Sequence, residues 1–394
     1  MDQTTTDLAT AEPREHLPDA DEFLLWPPSL QAYGYRIVDR LFATRTVHHG
    51  AQPLPLPRGR ELDLTYETGG GARTVAQLMD RNAIAGLLII QDGSIVLERY
   101  GLGLKPGDRW STMSMVKSIT AMLVGAAIGD GFLRSIDDGV TEHLPQLAGT
   151  AYDGVTVRHL LTMSSGVAWR EDYADRTSHV NQYSRLLAAK KKGGVLDLLK
   201  TLSRAHSPGT AWGYNTGDTY LLGAVLTAAT RTTLADYLQR TIWQPCAMEF
   251  DAFYTLDADG GQEIAGSRAG MALRDLGRIG LLVADDGMAA GRRILPAGWV
   301  EAMAARAFDL PEDAANEHRL ALGLTGYGLS WWLRDDGAML AMGHSGQRLY
   351  VDRASKTVVV NLAAYPEPRY RTACEHDRDA ELMALITAAV GAAR

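Results

Sequence analysis

Trp110-Ser111-Thr112-Met113-Ser114-Met115-Val116-Lys117-Ser118 contains the only Ser-x-x-Lys of the sequence, and Ile119, Ala121, Met122, Leu123, Val124, Ala126, Ala127 and Ile128 extend it as an apolar run. The run has no Pro, is rich in helix formers and ends at Gly129-Asp130-Gly131, which predicts one buried helix with a glycine exit. Residues three apart share a helix face, so the Lys117 amine falls within reach of the Ser114 hydroxyl. Ser114 is expected in the first turn, where unpaired N–H groups favour developing negative charge. Serine needs a nearby base to act as a nucleophile. A lysine among apolar residues can be that base, because burial lowers its pKa. A bare Ser-x-x-Lys turns up about once by chance in a chain of this length, so the assignment depends on the surrounding sequence.

The chain has 394 residues, 22% charged and 46% hydrophobic, with a net charge of -8. That is enough for two domains or one large one. The negative balance argues against nucleic acid and anionic membrane as partners. Cys246 and Cys374 are far apart, without metal-ligand spacing, and read as two reduced, packed thiols. Met1 to Glu22 is polar and acidic and does not read as a secretory signal, and no stretch approaches 18 uninterrupted apolar residues. A cytoplasmic protein is expected.

Outward from the Ser114 helix, Ala85–Ile90 and Ser94–Tyr100 read as a strand pair joined by Gln91-Asp92-Gly93. Upstream, residues 1–22 read as disordered or loosely attached. Leu24 to Arg60, with Trp26-Pro27-Pro28 and Pro53, Pro55 and Pro57, reads as an extended arm. Downstream the pattern is mainly helical: Val157–Met163, Val195–Ala205, Tyr220–Ala229 and Leu234–Trp243. Lys190-Lys191-Lys192-Gly193-Gly194 reads as a solvated loop. Leu273–Ala284 and Pro296 to about Ala305 are predicted helices. Gly328–Leu333, Ala338–Met342, Arg348–Val351 and Thr357–Leu362 read as successive antiparallel strands before a last helix, Cys374 to Ala392. The expected fold is α+β: an antiparallel sheet built from both chain ends and flanked by helices, with an inserted helical domain. Its expected division is 23–130 with 261–394 as the α/β part and 131–260 as the mainly helical part.

Two further stretches carry chemistry. Tyr214, in Trp212-Gly213-Tyr214-Asn215-Thr216-Gly217-Asp218, sits on a glycine-punctuated loop before a helix, where its hydroxyl can relay a proton or simply pack. Gly343-His344-Ser345-Gly346-Gln347 opens a strand; its backbone N–H groups could join that of Ser114 in binding an oxyanion, or form a strand-entry turn. No Gly-x-Ser-x-Gly occurs, which disfavours an α/β-hydrolase, and no His-Glu-x-x-His, which disfavours a zinc hydrolase. Glu375-His376-Asp377 reads as surface. No metal site and no cofactor are expected.

Taken together, the three stretches resemble the serine β-lactamase and penicillin-binding-protein superfamily, whose motifs run Ser-x-x-Lys, Tyr-x-Asn, then Lys/His-Thr/Ser-Gly on an edge strand. Within it, Tyr152-Asp153-Gly154-Val155-Thr156-Val157, Glu171-Asp172-Tyr173 and the Tyr214 and His344 loops are most similar to the 6-aminohexanoate-dimer (nylon-oligomer) hydrolases and the β-lactamase-like (family VIII) carboxylesterases. The resemblance implies Ser114 as nucleophile, Lys117 and Tyr214 as proton relay, and Tyr173 closing over the substrate. It places the second oxyanion N–H within His344 to Gln347, with His344 the first choice among His344, Ser345 and Gly346. Trp332, with Trp169, Trp212 and Trp331, either walls an apolar acyl pocket or packs in the core.

Two departures stand out. Thr216 replaces the Asn of Tyr-x-Asn, and His344 stands where β-lactamases use a Lys to attract the substrate carboxylate. The nylon-dimer enzymes also place an acidic residue to meet the substrate's amino end, and that place falls near Ser184. The implied activity is hydrolysis of carboxylic esters, and of small linear amides more weakly, through an acyl-enzyme on Ser114. The same acyl-enzyme would also serve an acyltransferase, or a sensor domain that does not turn over. The expected partner is a small-molecule ester or amide, with no nucleic acid and no membrane; a homodimer is the assembly considered.

Overall fold

The computed structural model describes residues 17–312, 316, 319–320, 322–365 and 373–393, with side chains from residue 378 in the last segment. Residues 1–16, and the side chains of Cys374 and of Glu375-His376-Asp377, lie outside the described residues. Cys246 is a buried free thiol.

The central element is an antiparallel sheet of eight strands. Taking all strands in chain order, β1 is Thr44–Val47, β2 Thr65–Thr68, β3 Gly71–Thr74, β4 Ile84–Gln91, β5 Ser94–Tyr100, β6 Trp110–Ser111, β7 Ala252–Thr255 and β8 Gly270–Met271. Then follow β9 Met288–Ala289, β10 Arg292–Arg293, β11 Phe308–Asp309, β12 Leu324–Tyr327, β13 Trp332–Arg334, β14 Met339–Gly343, β15 Gln347–Asp352 and β16 Thr357–Ala363. The large sheet runs β11-β12-β13-β14-β15-β16-β4-β5. Early and late chain meet where β16 pairs with β4, Val359 opposite Ile89. The expected hairpin is present. Asp92 and Gly93 both take positive φ, 44° and 75°, as a two-residue turn matching the strand twist requires.

β4 reads as a continuous apolar run because both its faces are buried. Leu88 and Ile90 pack with the helix Leu273–Ala284 in one core, while Leu87 and Ile89 pack with Leu382, Leu385 and Ile386 of the last helix in another. The helix comes close enough that a Cβ on Gly277 would stand 2.7 Å from Leu88 Cδ2.

Several expectations need correction: the helix expected over Val195–Ala205 ends at Lys200, and Pro296 precedes the helix Trp299–Ala304 instead of opening it. Leu24 to Arg60 is not an extended arm throughout: it contains the helices Pro28–Gly34 and Val38–Leu41, and β1 pairs with β7 in a second sheet of order β1-β7-β8-β6. Its Trp26, Tyr35 and Phe42 cluster around the preceding Phe23 instead of covering the surface; aromatic burial outweighed the prolines. Gly328–Leu333 is not one strand. Ser330 takes φ 58°, Gly328 N–H bonds Trp331 O at 2.9 Å, and the chain reverses between β12 and β13. Ser330 O accepts from Ser118 Oγ at 2.6 Å, which ties this turn to the helix after Ser114.

Candidate active site

β6 delivers the chain to Ser114. Trp110 pairs with Met271 of β8, and its indole N–H bonds Gln347 Oε1 at 2.9 Å. Met113 then takes φ 47°, a conformation uncommon for a side chain of this size, and such strain collects at functional turns. Ser114 therefore lies in a 3-10 turn, Met113–Met115, leading into the α-helix Val116–Gly129 instead of inside its first turn. All of the helix from Val116 to Ala127 is buried.

One helical turn on, Lys117 reaches back. Its Nζ lies 3.0 Å from Ser114 Oγ, 3.1 Å from Thr216 Oγ1 and 2.6 Å from Gly266 O. Three acceptors suit an ammonium; a neutral amine would keep two donors and turn its lone pair to one hydroxyl. Burial pulls the Lys117 pKa down to about 8, against the opposing pull of Glu171, and Arg268 adds to the fall. At pH 7 about a tenth of the amine is then neutral, against roughly one part in 3,000 for an unperturbed lysine.

Tyr214 stands over the same pair. Its phenol interacts with the Ser114 hydroxyl, and its ring centroid is 5.2 Å from Lys117 Nζ. Burial first, then Glu171, raise its pKa well above the ordinary phenol value, so it holds its proton. Asn215 does not face the site: it caps the helix Thr216–Thr230, with Oδ1 accepting from Asp218 N–H at 3.1 Å. Thr216 thus supplies the inward polar group, accepting from Lys117 and donating to Glu171 Oε1. A hydroxyl can do both, which gives the Asn-to-Thr departure a physical sense.

Glu171 was not singled out from the sequence as a site residue, although it lies in the Glu171-Asp172-Tyr173 stretch. Its carboxylate collects Thr216 N–H at 3.1 Å, Tyr173 OH at 2.7 Å and the Trp169 indole N–H. A carboxylate two residues before a tyrosine expected at the substrate was the available signal.

Tyr173 stacks on His344 at 4.8 Å between centroids and divides the space beside Ser114 in two. One cavity is lined by Ser114, Tyr173, Tyr214, Arg319, Trp332, Met342 and Gly343. The other is lined by Ser114, Tyr173, Met113, Thr216, Arg268 and His344, among others. Trp332 stacks on Tyr214 at 5.5 Å, Trp212 packs behind it at 5.9 Å, and Trp331 is fully buried in the core. Gly343 lets β14 approach the nucleophile turn, since a Cβ there would lie 2.6 Å from Thr112 O. His344 is buried, and burial followed by Arg348 lowers its pKa to about 3, leaving it neutral.

Ser345 and Gly346 line neither cavity. Ser345 Oγ accepts from Tyr35 OH at 3.2 Å, and Gly346 O accepts from Asn361 Nδ2 at 2.7 Å. Gln347 Nε2 clamps the turn through the carbonyls of His344, Ser345 and Ala363 at 3.0, 3.0 and 2.8 Å. Ser184 is buried beside the second cavity, but its Oγ bonds Arg268 Nη2 at 2.5 Å. A roomier depression of about 600 Å³ lies between Ala126, Arg240 and Pro296, and none of the three motifs reaches it. Among the described residues, no three His, Cys, Asp or Glu side chains are grouped to hold a metal, and no helix is long and apolar enough to cross a membrane.

The sequence model of the Beta-lactamase family matches residues 72–382. The chain is 28% identical over 307 residues to the 6-aminohexanoate-dimer hydrolase of Paenarthrobacter ureafaciens, covering 75% of this chain and 76% of that protein. A Bacillus anthracis structure described as a candidate 6-aminohexanoate-dimer hydrolase superposes with a TM-score of 0.79 at 22% identity, over 96% of this chain and 98% of that one. A family VIII carboxylesterase superposes with a TM-score of 0.57 at 16% identity, over 79% and 97%. These last two likenesses establish the fold.

Proposed function

The chain belongs to the Beta-lactamase family, and from that membership we propose that it hydrolyses small carboxylic esters, and linear amides more slowly, through an acyl-enzyme on Ser114. The observation that carries this is the 3.0 Å contact between Ser114 Oγ and the fully buried amine of Lys117. Lys117 is the base. Its neutral form takes the Ser114 proton as the hydroxyl attacks the carbonyl, whereas Tyr214 keeps its own proton and passes one to the leaving group. In the second step water attacks the acyl-enzyme, and the proton it loses returns along the same residues. The backbone N–H groups of Ser114 and His344 are the proposed oxyanion donors.

The relative's named substrate, the 6-aminohexanoate dimer, ends in an ammonium. Among the described residues that line the second cavity none is acidic; the place of the acidic partner falls near Ser184, and Arg268 beside it would repel the cation. Ester hydrolysis is therefore favoured over dimer hydrolysis. His344 is neutral and does not supply the charge that β-lactamases place opposite the substrate carboxylate. The test is a panel of short-chain esters beside linear amides. The expected result is turnover of the esters with the amides far behind; no turnover of any ester would overturn the proposal.

A further inference from the structure

Arg268 lines the cavity beside Ser114, and the acyl-enzyme chemistry leaves it unused. It follows Ser267 in the stretch leading into β8 and takes φ 61°, the left-handed region that is uncommon for residues other than glycine. Its side chain is fully buried, and only Nη2 has a hydrogen-bond partner, the Ser184 hydroxyl. Nε and Nη1 are buried without partners. The guanidinium lies 4.5 Å from the Phe23 ring centroid and 5.2 Å from that of Phe42. The phenols of Tyr183, Tyr35 and Tyr173 lie around it, and no carboxylate among the described residues pairs with it.

A buried arginine stays charged, and aromatic faces return less than the desolvation of its charge costs. Buried donors of this kind normally have partners. Here the surroundings supply neutral hydroxyls, which can donate or accept, in place of an anion. The hydroxyls of Tyr183 and Ser267 approach each other without a hydrogen bond of normal geometry, and both residues line the same cavity as Arg268 and Ser114. That cavity is about 20 Å³, room for one small polar group. Tyr214, which delivers the leaving-group proton, lines the other cavity. The leaving group belongs on that side and the acyl chain on the side of Arg268.

We propose that the Arg268 cavity binds the anionic end of a short acyl chain, so that the preferred substrates are half-esters or half-amides of dicarboxylic acids. The proposal rests on the hydrolase reading above and names its substrate class.

The test measures kcat/KM, by titrating released acid, for monoethyl succinate, glutarate and adipate against the same esters with the free carboxylate replaced by a carboxamide. Wild type is expected to favour at least one carboxylate over its carboxamide by roughly 10- to 100-fold, the range of a charge-assisted hydrogen bond. Arg268→Gln should bring that ratio to within about threefold of unity, and Arg268→Lys should retain part of it. Ser184→Asp, which sets a carboxylate against the intact arginine, should also collapse the ratio. As a readout independent of turnover, glutarate should raise the Tm of wild type but not of Arg268→Gln. Carboxamide esters hydrolysed without preference for the carboxylate overturn this inference and leave the hydrolase reading standing. A preference that survives both Arg268→Gln and Ser184→Asp overturns it as well. If no ester is turned over, the hydrolase reading fails, and the glutarate Tm shift alone decides whether the cavity binds an anion: its absence in wild type overturns the inference.

Discussion

Glu171 takes both the backbone N–H and the side-chain hydroxyl of Thr216, the N–H at 3.1 Å, and so connects a partly buried carboxylate to the Lys117 amine through one hydroxyl. Its charge favours the ammonium form of Lys117. Glu171→Gln should therefore lower the Lys117 pKa and move the rising limb of the kcat/KM–pH profile to lower pH, while Thr216→Val should cut kcat by roughly 10- to 100-fold by leaving a buried donor unpaired. Profiles of both variants check this. A limb that stays in place in Glu171→Gln would mean the carboxylate only holds the loop.

The wild-type profile follows from the sign of the Lys117 shift. Burial lowers this pKa to about 8, and the base is the deprotonated form, so kcat/KM should rise about tenfold per pH unit below 8 and level off above it. Asp218 is pushed up to about 8 by burial and titrates in the same window. Asp218→Asn should keep the limb. His344 is neutral above about pH 3, so no histidine limb is expected between pH 5 and 8. A bell centred near 6.5 would contradict the assignment.

Tyr214→Phe keeps the ring stacked on Trp332 and removes the hydroxyl beside Ser114. The expected loss is roughly 10²–10⁴-fold in kcat, the usual size of a general acid–base contribution, and larger for an amide than for an activated aryl ester, whose leaving group needs less protonation. Equal losses on both substrates would assign Tyr214 to packing.

Hydrolysis of the 6-aminohexanoate dimer should be slow. Ser184→Asp alone should bring little gain, because the new carboxylate would pair with Arg268, 2.5 Å from the present Ser184 Oγ. Ser184→Asp with Arg268→Gln leaves that carboxylate for the substrate ammonium and should improve the dimer reaction by roughly tenfold or more. The two changes should be strongly non-additive, and a double-mutant cycle on kcat/KM measures it. A full gain from Ser184→Asp alone would show that the arginine does not hold the new carboxylate.

Local signals carried much of this architecture. The Asp92-Gly93 turn, the helix Leu273–Ala284 and the β14 to β16 strands lie where periodicity and turn chemistry put them, because each is specified by its own residues. The Ser114–Lys117 contact was legible from the three-residue spacing, although Ser114 sits in the 3-10 turn before the α-helix. What escaped was made by distant contacts. Leu24 to Arg60 looks irregular in sequence, yet it brings Leu24 to the cavity wall and Phe42, against Phe23, to Arg268. Ser345 belongs to the third motif, but its hydroxyl is taken by Tyr35, 310 positions away. Arg268 is a lone charge in the small-residue stretch Ala265 to Ala272, a pattern that suits burial, but whether a carboxylate meets it is a matter of tertiary structure.

The central claim is that Ser114 is the nucleophile. Its most direct test is kcat/KM of Ser114→Ala on a short-chain aryl ester, with circular dichroism to show the fold retained. The expected result is loss of turnover to the uncatalysed background; activity within tenfold of wild type would contradict the claim.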